Sequence, residues 1–353
     1  MTLELRERVT MTPEQGLLFT RSVIGGLSVV GYPTKLQCQI ISQVAQHVMG
    51  LDLDVTTLEP LDTGEINALI PEAWARRRLV QSVVTLELLE EPTPELARHV
   101  RKFARDLGVD EPMVTAARRA ADGQMALMYA DIQRNSYYTE EAVREALGGH
   151  LWRLVRSKVA YSNVVASRAI ERKWAALGEM PEGSLGHATA EFYGVHDFPL
   201  PGARRGIGEV GAQHDFVHVL ADYPTDPEGE IDVFAFIAAS MFDPRGFVQL
   251  VMTLGLFQNA TITHVAGKRV PIARAGTLDE PGAASRFGDA LHRGSICKVD
   301  ALGIDHFAIA ARPLAELREQ FAIPPRDDRN RPGALDRVAP HDLGPTPTSG
   351  MGV

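Results

Sequence analysis

The side chains best suited to chemistry fall in one stretch, Gln213-His214-Asp215-Phe216-Val217-His218, followed by Glu230 in the run Thr225-Asp226-Pro227-Glu228-Gly229-Glu230. On a helix covering residues 209 to 221, His214 and His218 lie one turn apart, about 40° round the axis, and Asp215 projects about 100° from His214. Two imidazoles at that spacing suit a borderline divalent ion such as Zn²⁺, Fe²⁺ or Co²⁺. Carboxylates from Asp215 and Glu230 can complete the shell and offset its charge. Asp215 serves equally as a ligand or as a group that orients a ligating histidine. A chance reading stands beside this one. Eleven histidines in 353 residues make an i, i+4 pair easy to obtain, and such a pair beside an acid is often a hydrogen-bonded surface cluster.

Two helices and a turn must position these groups. Pro224 and Pro227 end the first helix, and Asp226 or Pro227 starts a second that carries Glu230 on its first turn. Ahead of them the pattern predicts helices over Glu111 to Tyr138, Thr139 to Gly148, Leu151 to Leu177 and Ser184 to Tyr193, then an irregular stretch over residues 194–206. Behind them come two apolar helices, Val233 to Phe242 and Phe247 to Phe257, each too short to span a bilayer. Nearer the N-terminus, Thr12-Pro13-Glu14-Gln15 reads as a capping box opening a helix, Thr34 caps a second through Met49, and further helices follow at Thr63, Pro71 and Thr93. Val265 to Ala273 carries the one convincing β signal, a small hairpin. The fold class is therefore all-α, with one helical module at residues 1–120, a second at 121–326, and a flexible Pro/Gly-rich tail at 327–353.

The order His-Asp-x-x-His, then Glu at 230, resembles the signature of a ubiquinone-biosynthesis family, coenzyme Q biosynthesis protein 4. The likeness extends to Gly183-Ser184-Leu185-Gly186 before Glu191-Phe192-Tyr193, to Gly229-Glu230 opening an apolar helix, and to Arg312-Pro313-Leu314-Ala315-Glu316-Leu317-Arg318 with Ile323-Pro324-Pro325-Arg326. It covers roughly Ala130 to Arg326. The resemblance implies that His214, Asp215, His218 and Glu230 are metal ligands, with zinc the first choice and iron or cobalt next, and that Asp215 is also catalytic. It implies a role in replacing the ring-carbon-1 carboxylate of a prenylated hydroxybenzoate by hydroxyl, in organising other quinone-biosynthesis proteins, or in both. A metal there would act as a Lewis acid on the carboxylate. Phe192, Tyr193, Phe234 and Phe236 would wall in the prenyl chain or another isoprenoid lipid; they are equally the side chains of an ordinary core. The rival is a non-catalytic scaffold in which the metal pins two helices together. A closed four-ligand shell would mark that rival, and three ligands with an open position an enzyme. The passage Arg78 to Gly108, with Glu90-Glu91-Pro92-Thr93-Pro94-Glu95 between two helices, resembles part of the tellurite-resistance TerB-like domains, although Pro92 interrupts that family's acidic turn.

A net charge of −9 argues against nucleic acid as a partner and against long-range attraction to anionic lipid. Cys38 and Cys297, far apart, exclude a disulfide framework and a thiolate zinc site. The opening Met1-Thr2-Leu3-Glu4-Leu5-Arg6-Glu7 lacks a signal-peptide core, which predicts a cytoplasmic protein with peripheral contact at the inner face of a membrane. A homo-oligomer is expected. Gly206-Ile207-Gly208-Glu209-Val210-Gly211 matches G-x-G-x-x-G, but a proline-rich segment stands where its strand should be, so it does not describe a dinucleotide site. His187 is a candidate proton donor to the pocket. His196 reads as a loop residue, His264, His292 and His306 default to structural roles, and Ser184 to a helix cap.

Overall fold

The computed structural model describes Leu5 and residues 11–136, 167–241, 243, 246–262, 264–265, 268–269 and 275–337. The helices predicted at Thr139 to Gly148 and over most of Leu151 to Leu177 lie outside these residues. The protein is all-α. Its described helices are α1 Pro13–Leu27, α2 Lys35–Met49, α3 Thr63–Leu69, α4 Ala73–Glu87, α5 Pro94–Asp106, α6 Pro112–Ala121, α7 Met125–Asn135, α8 Arg168–Ala175, α9 Leu185–Val195, α10 Gln213–Ala221, α11 Pro227–Ser240, α12 Gly246–Phe257, α13 Ala283–Ile296, α14 His306–Ile309 and α15 Leu314–Gln320. The hairpin is present in miniature, His264–Val265 against Lys268–Arg269 in antiparallel register.

Local chemistry sets most helix starts. Thr12, Thr34 and Asp62 each accept the backbone N–H three residues on, and Gln15, Gln37 and Glu65 reach back to the cap amide. Each such cap contributes about 1 kcal/mol. Gly50 ends α2 in the left-handed region, at φ 68°. The single helix expected from Glu111 to Tyr138 is instead two, α6 and α7, because Gly123 turns at φ 72° between them.

The described residues fall into two units. The first joins Val9–Asn135 to Phe247–His292, and the second joins Ser136–Gly246 to Arg293–Gly344. The units are interleaved in sequence, whereas the pattern suggested consecutive modules meeting near residue 120. Apolar periodicity shows that a helix is buried but not against what: Phe247–Phe257 of α12 and the part of α13 up to His292 belong with the N-terminal helices. Gly288 of α13 runs so close to α2 that an added Cβ would stand 2.9 Å from the Gln43 carbonyl. His47 Nε2 lies 3.0 Å from Ser285 Oγ. Asn259, just past α12, donates to the Leu88 carbonyl at 2.7 Å.

In the second unit α10 packs on α9, α11 and α15. Its core is aromatic: Trp174 is fully buried, with ring centroids 5.6 Å from Tyr193, 5.2 Å from Phe216 and 5.3 Å from Phe307. The start of the expected tail is also packed here. His196 Nε2 lies 2.9 Å from the Ala334 carbonyl, and Asp222 Oδ1 accepts the Ala334 N–H at 3.1 Å. Residues from 338 onward lie outside the described set.

Candidate metal centre

Helix α10 begins at Gln213 rather than 209, because residues 209–212 form turns and Ala212 offers no side-chain cap. Among the described residues no strand precedes the glycine-rich run. Its last glycine takes part in the site: His214 Nδ1–H donates to the Gly211 carbonyl at 2.5 Å. One turn on, His218 Nδ1–H donates to the Tyr223 carbonyl at 3.0 Å. Both imidazoles are thereby fixed in the tautomer whose Nε2 carries the free lone pair. The two rings lie 5.3 Å apart.

The turn between α10 and α11 delivers Glu230. Asp226 caps α11 by accepting the Gly229 N–H at 2.7 Å. A Cβ at Gly229 would stand 2.1 Å from the Pro224 carbonyl, so only glycine lets the helix start this close to the turn. Arg331 pairs with Asp226 at 3.1 Å and with Glu228 at 2.6 Å. Of the first-turn acids of α11, it is Glu230 whose Oε1 faces His218 Nε2, at 3.5 Å. Ligand atoms of His214, His218 and Glu230 all lie within 4.8 Å of one another.

Asp215 lies beside this trio. Its Oδ1 is 3.3 Å from His214 Nε2, and its Oδ2 accepts a short hydrogen bond from the Tyr193 hydroxyl. Burial raises the Asp215 pKa in spite of His214, Tyr193 and His218, with Glu230 adding to the rise. Burial opposes a charged His218, yet Glu230, Asp215 and the Tyr223 carbonyl outweigh it and hold that pKa up. Burial works against the Glu230 carboxylate too, but His218 and His214 keep its pKa below the ordinary value. The site thus gathers two carboxylates and two imidazoles where a divalent cation would balance the charge. The residues fit such an ion on a direct observation: His218 Nε2 is buried and has no hydrogen-bond partner, which is costly unless something binds there.

No family model matches the chain, and no curated protein matches it.

The four side chains singled out from sequence are therefore gathered in one place, three as a mutually facing set and Asp215 alongside. Of the expected pocket walls, Phe192 stacks on His218 at 5.8 Å and Phe234 on His214 at 5.4 Å. Phe236 packs against Tyr223 and Arg293 instead. His187 sits half-buried in the first turn of α9. Its Nδ1 is unbonded, and no bond or ring contact among the described residues joins it to the trio. His306 is structural: it stacks on Phe216 at 4.8 Å, its ring nitrogens lie 3.2 Å from Gln213 Oε1 and 2.9 Å from the Ala301 carbonyl, and burial pushes its pKa down to about 4. The acidic turn at residues 90–95 supplies no member of this ligand set, and Glu91 and Glu95 there are exposed.

Three supports were missed from sequence. The sequence marks Tyr193 as a pocket wall, and the signal for its second role is that a buried phenol needs a partner for its hydroxyl. Arg318 and Arg293 cap the C-terminal end of α10. Arg318 donates to the Val219 and Leu220 carbonyls, each at 2.9 Å, and Arg293 to the Ala221 carbonyl at 2.8 Å. Cations suit the negative end of a helix, but both lie far away in sequence.

Proposed function

We propose that this protein holds one divalent transition-metal ion, most simply zinc, through His214, His218 and Glu230, and serves quinone biosynthesis in the manner of the coenzyme Q biosynthesis protein 4 family it resembles. The observation that carries the reading is the pair of imidazoles, each pinned through Nδ1 to a backbone carbonyl, whose ligand atoms lie within 4.8 Å of one another and of the Glu230 carboxylate. Outer hydrogen bonds of this kind orient metal-ligating histidines in general. A bound divalent ion would supply Lewis acidity toward the carboxylate of a prenylated hydroxybenzoate.

The chain's own residues do the rest. His214 and His218 are oriented before any ligand arrives, which lowers the entropic cost of binding. Three facing ligands fit a site with an open position better than a closed clamp. Asp215, held by Tyr193 and disposed by burial to keep a proton, can hand that proton through Oδ1 to a ring carbon that has lost CO₂. Putting hydroxyl at that carbon needs an oxidant in addition, and none of these side chains is one. Decarboxylation with proton return is thus the part of the conversion these residues suit. Phe192 and Phe234 are buried against the two imidazoles and serve as core around the ligands. Contact with a membrane would be peripheral, since among the described residues no helix is long and apolar enough to cross one.

The test is metal content of the purified full-length protein together with product analysis. About one equivalent is expected, lost in His214→Ala and His218→Ala and reduced less in Glu230→Ala, where water can replace a carboxylate. Unchanged metal in both histidine variants would remove the site. Asp215→Asn should abolish ring-carbon-1 product at unchanged protein level; full product formation would favour the scaffold reading.

A further inference from the structure

We infer that the second unit carries another ligand site, an arginine-lined pocket that takes a phosphate group. The cavity, of about 250 Å³, is bounded by Val219 and Asp222 at the end of α10, by Leu314 and Arg318 of α15, and by the loop over residues 326–336. Four arginines line it, Arg318, Arg326, Arg329 and Arg331. Their commitments differ. Arg331 is closed onto Asp226 and Glu228. Arg318 gives Nε and Nη2 to the Leu220 and Val219 carbonyls, which bear no net charge. Arg329 is exposed and makes a long 3.4 Å bond from Nε to the Arg326 carbonyl.

Arg326 is the informative one. It is 8% exposed, donates to the Arg331 carbonyl at 3.2 Å and lies 3.7 Å from Asp222. Its Nε is buried with no hydrogen-bond partner. A buried charged donor without an acceptor is expensive, and an incoming anion removes that cost. Two carboxylates share the wall, Asp222, whose Oδ1 accepts the Ala334 N–H at 3.1 Å, and Asp336, whose Oδ2 accepts the Gly333 N–H at 2.8 Å, so that with Arg331 held by Asp226 and Glu228 the charges of Arg318, Arg326 and Arg329 still exceed theirs by one. Arg293, which also keeps a buried unbonded Nη1, stands near enough to act on Arg318. Burial, together with Arg293 and Arg326, holds the Arg318 pKa down against the pull of Asp222. Cations therefore crowd the end of α10 beyond what its carbonyls can use.

Size and geometry narrow the ligand. The cavity is smaller than the roughly 300–1,000 Å³ of pockets for drug-sized molecules, so it suits one small anionic group. Guanidinium forks match carboxylate and phosphate alike. A phosphate, with three or more acceptor oxygens and up to two charges, answers a cavity lined by Arg318, Arg326 and Arg329 better than a carboxylate does. That group has two sources, free phosphate or a small phosphomonoester, and the phosphate headgroup of a lipid. This site does not depend on the metal reading.

The experiment uses the full chain with inorganic phosphate in calorimetric titration at constant ionic strength, and flotation with phosphatidylcholine vesicles with and without phosphatidic acid. Saturable phosphate binding is expected, weakened about tenfold or more in Arg326→Gln and in Arg329→Gln. Flotation that needs phosphatidic acid and is lost in the same variants identifies the headgroup. Phosphate binding without flotation identifies the free anion. If Arg326→Gln does not fold, the exposed Arg329 decides alone. The inference is overturned if wild-type protein binds neither probe, if Arg329→Gln binds phosphate as wild type does, or if binding disappears in His218→Ala while the arginine variants keep it.

Discussion

Glu87, the last residue of α4, is 1% exposed, and its Oε1 has no hydrogen-bond partner. The polar side chains that reach its flanking residues are spent on their carbonyls: Gln37 donates to the Leu86 carbonyl at 3.0 Å and Asn259 to the Leu88 carbonyl at 2.7 Å. Burial pushes the Glu87 pKa from 4.5 up to about 8. Because the folded chain holds this proton more tightly than the unfolded one, stability is full below pH 4.5 and is lost as pH rises through about 8. At about 1.36 kcal/mol per unit, the interval from 4.5 to 7 amounts to roughly 3 kcal/mol of destabilisation at neutral pH. Glu87→Gln, near-isosteric and uncharged, should therefore match wild type near pH 4.5 and be more stable by about 3 kcal/mol at pH 7. For a unit of this size that is a rise in melting temperature of roughly 6–12 °C. Urea unfolding followed by helical circular dichroism at both pH values measures the double difference. A Gln substitution that shifts the midpoint equally at the two pH values would refute the argument, since it would mean that the carboxylate is solvated or paired.

Two further tests address the second unit. Tyr193→Phe removes the donor to Asp215 and should cost about 1–2 kcal/mol, the scale of leaving a buried oxygen without its hydrogen-bond donor, while metal content stays near one equivalent; thermal melts with metal analysis check both parts, and loss of metal would make the phenol essential to ligand geometry. His306 is held neutral down to about pH 4 against an ordinary value of 6.5, so its contribution is present above 6.5 and is lost as pH falls through 4, roughly 3 kcal/mol in all. His306→Gln should flatten that part of the acid limb, and an unchanged limb would assign acid sensitivity to other groups.

Much of this architecture was legible because it is written locally. Thr12 with Gln15, and Thr34 with Gln37, announce helix starts within four residues, and His214, His218 and Glu230 owe their meeting to one helix, one turn and one more helix. What was illegible depends on distant partners. The pattern that marked Phe247 to Phe257 as buried gave no sign that this helix belongs with the N-terminal helices. The polar composition after Arg326 suggested a free tail, yet Asp222 and His196 hold Ala334 by hydrogen bonds that no local pattern records. Arg293 and Arg318 reach the carbonyls of α10 from far along the chain, and the Tyr193 hydroxyl meets Asp215 only because α9 packs on α10.

The unequal anchoring of α10 gives the centre a direction. At one end Arg318 and Arg293 grip the last carbonyls, and His218, with a side chain 1% exposed, is locked just above them. At the other end the helix starts without a side-chain cap, and His214 is 15% exposed. Local opening follows such gradients of burial and bonding. On the proposed metal reading, an ion departing this site would let go of His214 first and His218 last, and an incoming ion, following the same path in reverse, would bond to His218 first and be closed in when His214 joins at the loose end. Exchange kinetics, and competition between metals during loading, would accordingly be governed by the Gly206–Gly211 approach to the helix rather than by the ligands that hold the ion most firmly.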